Sequence, residues 1–433
     1  MYEIEPLVKV RKKIFIPADK SISHRALIIS SLAKGKTRIV NFLISEDTLA
    51  TLECLKKIGV GIKFNKKKKE VMIDSGGLFF KRTKKVCLNA HQSATTMRIL
   101  SGVLVGQKFP VYFDAEEPLR RRPMRRIIYP LSCMGAKIIG KKIKDEEYPP
   151  LEIFPVSTLK GIRYKMPVAS AQVKSAIIFA SLYAEGKTEI EERNLSRDHT
   201  ERMLKLFGAK IKKRKGVISC QKNVLKTPGE IFIPYDLSSA SFFIALATLV
   251  EGSKIEIKNV GINPTRLGFV NILKKMGAKI KILNKKNYFE PYADIVVESS
   301  QLKGIKIEEK EIPLMIDEIP LLFVCGAFAK GETEILGLKE LKVKETDRIY
   351  SMVYNLKRAG VDIEALNYGN NWKVKIKGIK RIRPVLFKSF SDHRTAMSLV
   401  IFGLAAGERF SIDDISCMNK SFPEFISLVE SLK

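Results

Sequence analysis

Two short phrases alternate along this chain, and they constrain its fold more than any other feature. The first is an apolar helix, a glycine and a short alternating strand. It appears at Gly35-Lys36-Thr37-Arg38-Ile39, Gly106-Gln107-Lys108-Phe109-Pro110-Val111, Gly186-Lys187-Thr188-Glu189-Ile190, Gly252-Ser253-Lys254-Ile255-Glu256-Ile257, Gly331-Glu332-Thr333-Glu334-Ile335 and Gly407-Glu408-Arg409-Phe410-Ser411-Ile412. The second falls between copies of the first: Leu55-Lys56-Lys57-Ile58-Gly59-Val60, Leu131-Ser132-Cys133-Met134-Gly135-Ala136, Leu204-Lys205-Leu206-Phe207-Gly208-Ala209, Leu273-Lys274-Lys275-Met276-Gly277-Ala278 and Leu356-Lys357-Arg358-Ala359-Gly360-Val361. Glycine after a helix ends it by taking a left-handed C-cap. The period-2 pattern that follows is a half-buried strand. Eleven placements in strict alternation predict six units, each of strand, helix, strand, further strand and helix. The sixth is short, ending with a helix around Phe425–Leu432. The alternating segment Val8–Ile14 has no partner of its own and is expected to close that sixth unit. The fold class expected is therefore α/β, with two domains each of three βαβαββ-type repeat units. One spans 17–236; the other is discontinuous, 1–16 plus 237–433.

A chain of 433 residues exceeds one ordinary core. Hydrophobic content of 45% with 28% charge is that of a soluble globular protein. The longest apolar runs, Phe242–Val250 and Leu399–Ala406, are too short to span a bilayer, so no membrane partner is expected. The first residues lack the pattern of a signal peptide. The cysteines at 54, 87, 133, 220, 325 and 417 have no Cys-x-x-Cys spacing and stand apart from the four histidines. They read as reduced, mostly buried thiols of a cytoplasmic protein, and no metal site is expected. The net charge of +31 calls for anionic partners. Lys66-Lys67-Lys68-Lys69 and the lysines near Lys141 and Lys285 read as solvated turns, without the aromatic interleaving of RNA readers. No specific nucleic-acid partner is expected.

Polar motifs gather where the apolar helices begin. Pro17-Ala18-Asp19-Lys20-Ser21-Ile22-Ser23-His24-Arg25 opens the first, where Ser21 and Ser23 can cap. Lys20 and Arg25 near that start oppose the helix dipole, which an anion at the same end would offset. Further along come Ser170-Ala171-Gln172-Val173-Lys174-Ser175-Ala176, Ser196-Arg197-Asp198-His199-Thr200-Glu201 and Ile316-Asp317-Glu318-Ile319-Pro320. They are followed by Glu340-Leu341-Lys342-Val343-Lys344-Glu345-Thr346-Asp347-Arg348, Ser391-Asp392-His393-Arg394-Thr395-Ala396-Met397 and Cys417-Met418-Asn419-Lys420-Ser421-Phe422-Pro423.

In this order, across the whole chain, these segments resemble the enolpyruvyl shikimate phosphate synthases. The resemblance implies the enolpyruvyl transferase fold, an inside-out α/β barrel with helices buried and sheets outside. It also implies an active site in the cleft between two domains. The activity implied is transfer of the enolpyruvyl group of phosphoenolpyruvate to the 5-hydroxyl of shikimate 3-phosphate, with release of phosphate. No cofactor is implied, and a monomer is expected.

These substrates carry two phosphates and two carboxylates, so a closed site needs several cations. Arginine grips such groups bidentately, whereas lysine is a point charge that can also move a proton. By resemblance, Lys20, Arg122, Arg348, Arg394 and Lys420 hold phosphoenolpyruvate, against a loop that includes Ala94. Gln172 touches both substrates. Lys20, Ser21, Arg25, Ser170, Ala171 and Ser196 hold shikimate 3-phosphate, with Asp317 and Lys344 at its ring hydroxyls. At the place of Glu340 the family carries Asn or Glu. Asp317 is expected to accept the hydroxyl proton. Glu345 is expected to deliver and remove the C3 proton, with Lys20 sharing that work and His393 orienting or assisting. His24 and His199 read as hydrogen bonders at helix starts.

Three stretches depart from the family's pattern. Pro17-Ala18 stands where Pro-Gly is usual, and Tyr235 where Gly is commoner. His91-Gln92-Ser93-Ala94-Thr95-Thr96-Met97-Arg98 stands where the family reads Gly-Asn-Ser/Ala-Gly-Thr. Glycine permits close backbone approach. A methyl at Ala94 narrows the pocket and is expected to make the enzyme tolerate glyphosate. Two other readings compete. One is enolpyruvyl transfer to a UDP-aminosugar, which typically uses a loop cysteine that Glu116–Met124 lacks. The other is a basic RNA-end-processing protein.

Overall fold

Helices that are apolar on every side have to be enclosed, and in this chain they alternate with helices apolar on one side only. The computed structural model describes residues 1–433. In chain order the helices are α1 Lys20–Leu32, α2 Glu46–Lys57, α3 Ala94–Leu104, α4 Arg125–Cys133, α5 Ala171–Ser181 and α6 His199–Leu206. They continue as α7 Leu237–Leu249, α8 Gly268–Lys275, α9 Ile319–Ala327, α10 Arg348–Arg358, α11 His393–Ala405 and α12 Phe425–Glu430. The odd-numbered ones are buried over nearly their whole length. Several serines inside them return their hydroxyls to the preceding turn, as Ser31 does to the Leu27 carbonyl at 2.7 Å and Ser241 to Leu237 at 2.8 Å. That satisfies the polar atom without a partner from outside the helix.

The chain divides into two compact units, Ala18–Ile233 and Met1–Pro17 with Pro234–Lys433. In the first, three four-stranded sheets surround α1, α3 and α5. The strand Glu230–Phe232, last in that unit, returns to pair in parallel with Gly35–Val40, first in that unit. The second unit has two four-stranded sheets and one of three strands.

Here the N-terminal segment behaves differently from the sequence reading. Arg11–Ile14 pairs in parallel with Lys254–Gly261, in the fourth unit. The strand that joins the sixth is Tyr2–Ile4, antiparallel to Phe410–Ile412. The reason lies in the repeat: each sheet has a parallel edge strand, and in all but one it precedes in the chain the strand it pairs with. Val86–Asn89 does this for Val111–Asp114, and Leu386–Phe387 for Phe410–Ile412. Arg11–Ile14 supplies that edge for Lys254–Gly261, and Glu230–Phe232, which comes after its partner in the chain, supplies it for Gly35–Val40.

The five glycines of the second phrase all have φ between 85° and 103°, the left-handed cap the sequence predicts. In the first phrase Gly106 is the exception, since its φ is not positive. What excludes a side chain there is space: a Cβ would lie 2.2 Å from the Tyr183 ring. Gly102 has a similar role in α3, where a Cβ would sit 2.2 Å from the Ala176 carbonyl oxygen of α5. The two helices meet backbone to backbone. Gly102→Ala is expected to lower unfolding free energy by about 3 kcal/mol, the upper range for overpacking a rigid contact. Urea denaturation measures it, and an unchanged midpoint would contradict this packing.

The lysine run 66–69 forms the exposed turn between Gly61–Asn65 and Glu70–Ser75. Cys54, Cys220, Cys325 and Cys417 are buried, Cys87 and Cys133 are exposed, and all six are free thiols. No helix is long and apolar enough to cross a membrane.

Candidate active site

In the unit Ala18–Ile233 the helix starts are tied to one another by polar side chains. Asp19, and neither Ser21 nor Ser23, caps α1, accepting from the Ile22 amide at 2.8 Å. The helix begins two residues before a Ser21 cap would start it, so Ser23 falls inside it and instead accepts from the Leu43 amide at 3.2 Å. Lys20 is the first helical residue, and its ammonium pairs with Asp47 of α2 at 2.9 Å. The chain itself therefore supplies anions, Asp19 and Asp47, against the unfavourable placement of this cation.

Arg25 is buried between three helices. Its Nε donates to Thr200 Oγ1 at 2.7 Å, Nη1 to the Ser21 carbonyl at 2.9 Å and Nη2 to Ser175 Oγ at 3.0 Å. His24 bonds Thr51 at 2.7 Å, and Thr51 bonds Thr96 at the same distance, linking α1, α2 and α3. Burial, and then the nearby charges of Lys20 and Arg25, hold the His24 imidazole well below its ordinary range. A neutral ring in that chain is a structural hydrogen bonder.

Close packing of α3 on α5 brings Arg98 to Gln172. The Arg98 Nη1 donates to Gln172 Oε1 at 2.9 Å, and Nη2 to the Pro123 carbonyl at 3.0 Å, next to Arg122. Gln172 Nε2 in turn donates to Thr95 Oγ1 at 3.1 Å. Ser170 caps α5 and Ala171 is its first residue. Ser196 is buried between α5 and the start of α6.

The altered loop lies before α3. His91 has φ +49°, a region where glycine is easy and histidine is among the better-tolerated alternatives. Its amide donates to Asn89 Oδ1 at 2.8 Å, and its ring lies 2.7 Å from Glu116 and 3.3 Å from Glu53. Ser93 caps α3, and Ala94, its first residue, is buried.

In the unit Met1–Pro17 with Pro234–Lys433, the starts of α7, α9, α10 and α11 carry the polar groups. Arg348 opens α10 and is 2% exposed. Three carboxylates surround its guanidinium: Asp392 at 2.9 Å from Nε, Glu345 at 2.7 Å from Nη2 and Asp317 at 3.6 Å from Nη1. Burial works against the Arg348 charge, but Asp392, Glu345 and Asp317 outweigh it and raise the pKa above the ordinary arginine range. Asp392 also caps α11 by accepting from the Arg394 and Thr395 amides at 2.8 and 3.0 Å. One carboxylate thus fixes both an arginine and a helix start. The Arg394 guanidinium lies 5.8 Å from the Phe242 ring centroid, with Nη1 3.5 Å from the Ser238 carbonyl of α7. Lys420, at the end of a 3₁₀ turn, reaches the Ser391 carbonyl at 3.5 Å. His393 is the buried first residue of α11. Glu340 lies within the 3₁₀ turn Lys339–Val343, and Lys344 follows it.

The structure therefore brings Asp317, Glu345 and Arg348 into one cluster, and Gln172 to Arg98. Sequence reasoning gave no role to Asp392, Asp47, Lys174 or Glu192. Asp392 and Lys174 lay inside motifs quoted for their neighbours. Asp47 carries no local signal, since only the fold brings it to Lys20, and Glu192, four residues before Ser196, lay just outside the quoted motif. Cations beside helix N-termini can hold phosphate and carboxylate, and carboxylates on one guanidinium can exchange protons with a bound molecule.

The chain is similar to known proteins over its whole length. The family model described as EPSP synthase (3-phosphoshikimate 1-carboxyvinyltransferase) matches residues 4–428. A 3-phosphoshikimate 1-carboxyvinyltransferase of Petrotoga mobilis is 47% identical, covering 100% of this chain and 99% of that protein. The one from Geotalea uraniireducens is 43% identical, again over 100% and 99%. The solved EPSP synthase of Acinetobacter baumannii superposes with a TM-score of 0.86 at 39% identity, covering 100% of this chain and 98% of that one. The enolpyruvyl transferase NikO of Streptomyces tendae has the same fold, with a TM-score of 0.79 at 14% identity over 99% and 96%.

Proposed function

Because this chain belongs to the EPSP synthase family, we propose that its helix-start groups act on one pair of anionic substrates. The protein is a transferase of the shikimate pathway, moving the enolpyruvyl group of phosphoenolpyruvate to shikimate 3-phosphate. In our reading Lys20, Arg122, Arg348, Arg394 and Lys420 hold phosphoenolpyruvate. Ser21, Arg25, Ser170, the Ala171 backbone, Ser196 and Lys344 hold shikimate 3-phosphate, and Gln172 touches both.

The observation that carries the proton chemistry is the convergence of Asp317 and Glu345 on buried Arg348. Asp317 takes the proton of the 5-hydroxyl as its oxygen bonds to C2 of phosphoenolpyruvate. Glu345 gives a proton to C3. The tetrahedral intermediate then loses phosphate, and Glu345, or Lys20 with it, removes a C3 proton to restore the double bond. A substrate carboxylate that takes Arg348 Nη2 displaces Glu345 and releases it for this work. The cations stabilise the departing phosphate.

Purified protein mixed with phosphoenolpyruvate and shikimate 3-phosphate is expected to release phosphate, and to release none when either is omitted. Release with a UDP-aminosugar but not with shikimate 3-phosphate would overturn the substrate assignment. We also propose that the buried Ala94 methyl excludes glyphosate, which is longer than phosphoenolpyruvate. Ala94→Gly is then expected to lower the glyphosate concentration for half inhibition by about tenfold or more, the range for one methylene-sized difference in a pocket. Equal dose–response curves for the two proteins would contradict this.

A further inference from the structure

Five of the six buried helices have an uncharged residue four positions after their N-cap: Ser23 in α1, Met97 in α3, Ala240 in α7, Leu322 in α9 and Ala396 in α11. In α5 that residue is Lys174, and its side chain is wholly buried. A buried lysine costs far more than the methionine that fills the same place in α3, so packing does not account for it.

Three oxygen-bearing groups surround this ammonium. They are Glu201 at 2.8 Å, Glu192 at 3.2 Å and the Ser196 backbone carbonyl at 3.3 Å. Glu192 also accepts the Ser196 hydroxyl. The segment Arg193–Leu195 is exposed, and Ser196 is where the chain turns inward. Both polar groups of that serine therefore lead to Lys174, one directly and one through Glu192.

We propose that Lys174 is a positioning residue for the phosphate of shikimate 3-phosphate, acting through Ser196 and Glu192; the inference rests on the assignment of Ser196 to that substrate. A hydroxyl has one hydrogen, so Ser196 can donate to phosphate only when Glu192 gives it up. The Glu192 charge is then carried by Lys174 and by Lys213, which lies 3.7 Å away. Without Lys174, Glu192 retains the hydroxyl and competes with the phosphate. The carbonyl contact meanwhile fixes where Ser196 stands relative to the Ser170 cap of the same α5.

Lys174→Met alone leaves two buried carboxylates against one cation, so Lys174→Met/Glu201→Gln, which keeps the buried charge balanced, is made beside it. In whichever variant folds, the KM for shikimate 3-phosphate is expected to rise about tenfold or more, the size of one hydrogen bond to a charged group. The KM for phosphoenolpyruvate stays as it was. The affinity ratio of shikimate 3-phosphate to unphosphorylated shikimate falls by a similar factor, since only the phosphate contact is lost. Lys174→Arg restores part of that ratio. Ser196→Ala is measured in parallel. An unchanged ratio in a folded Lys174 variant, with a reduced ratio in Ser196→Ala, overturns the role of Lys174. An unchanged ratio in both overturns the assignment of Ser196 on which it stands. Equal increases in both KM values would mark Lys174 as purely structural, and also overturn the proposal.

Discussion

Arg348→Met is expected to lower kcat/KM by about a thousandfold, in line with loss of a preorganised charge at a developing anion. It is also expected to destabilise the chain by about 3–5 kcal/mol, the range for leaving buried charges without their partner. Arg348 holds Asp392, Glu345 and Asp317, and Asp392 caps α11. Removing the guanidinium sets three carboxylates against one another and loosens a buried helix start. Arg348→Lys separates the two effects. It keeps the charge, recovering much of the stability, but a point charge cannot reach Asp392, Glu345 and Asp317 along the separate directions a guanidinium offers. Its kcat/KM remains depressed. Thermal melting and steady-state kinetics on the two variants check both expectations; wild-type kcat/KM in Arg348→Lys would contradict the geometric role.

The second large effect concerns Glu345. Glu345→Gln is expected to reduce kcat by about a hundredfold to ten-thousandfold, the usual span for removing a general acid–base group. Stability should change little, because the side chain is partly exposed and Arg348 keeps Asp392 and Asp317. The KM values should move less than kcat, since glutamine has nearly the same shape and still accepts a hydrogen bond. A kcat within about threefold of wild type would be too small a change for a general acid–base group and would remove Glu345 from the proton chemistry.

Much of this architecture was legible in the sequence because the chain repeats itself. The glycines of the second phrase mark helix ends through backbone conformation, a local property that sequence reports directly. Gly106 shows where that logic stops: its lack of a side chain answers to the Tyr183 ring, which is distant in sequence. The N-terminal strands show the same limit. Alternation identified a strand near Ile14, but whether it joined the fourth or the sixth unit depended on edge pairing, which leaves no trace in a short segment. At the candidate site, motif order singled out Lys20, Gln172, Asp317, Glu345 and Arg348. The groups that hold them, Asp47, Arg98 and Asp392, emerge only when separate helix starts are brought together. Lys174 stood in plain view inside a motif, and it becomes conspicuous only beside Met97 at the same position of a sister helix.

The account turns on Glu345 exchanging a proton with C3 of phosphoenolpyruvate. Running the reaction in D₂O and measuring deuterium in the methylene of the product tests it most directly. Protonation at C3 makes a methyl group, and loss of either isotope from that group leaves deuterium in part of the product. The wild-type protein is predicted to give deuterated product. Glu345→Gln is predicted to incorporate deuterium as slowly as it turns over, even with both substrates saturating. Incorporation by Glu345→Gln at the wild-type rate would contradict the account and assign the C3 proton to another group.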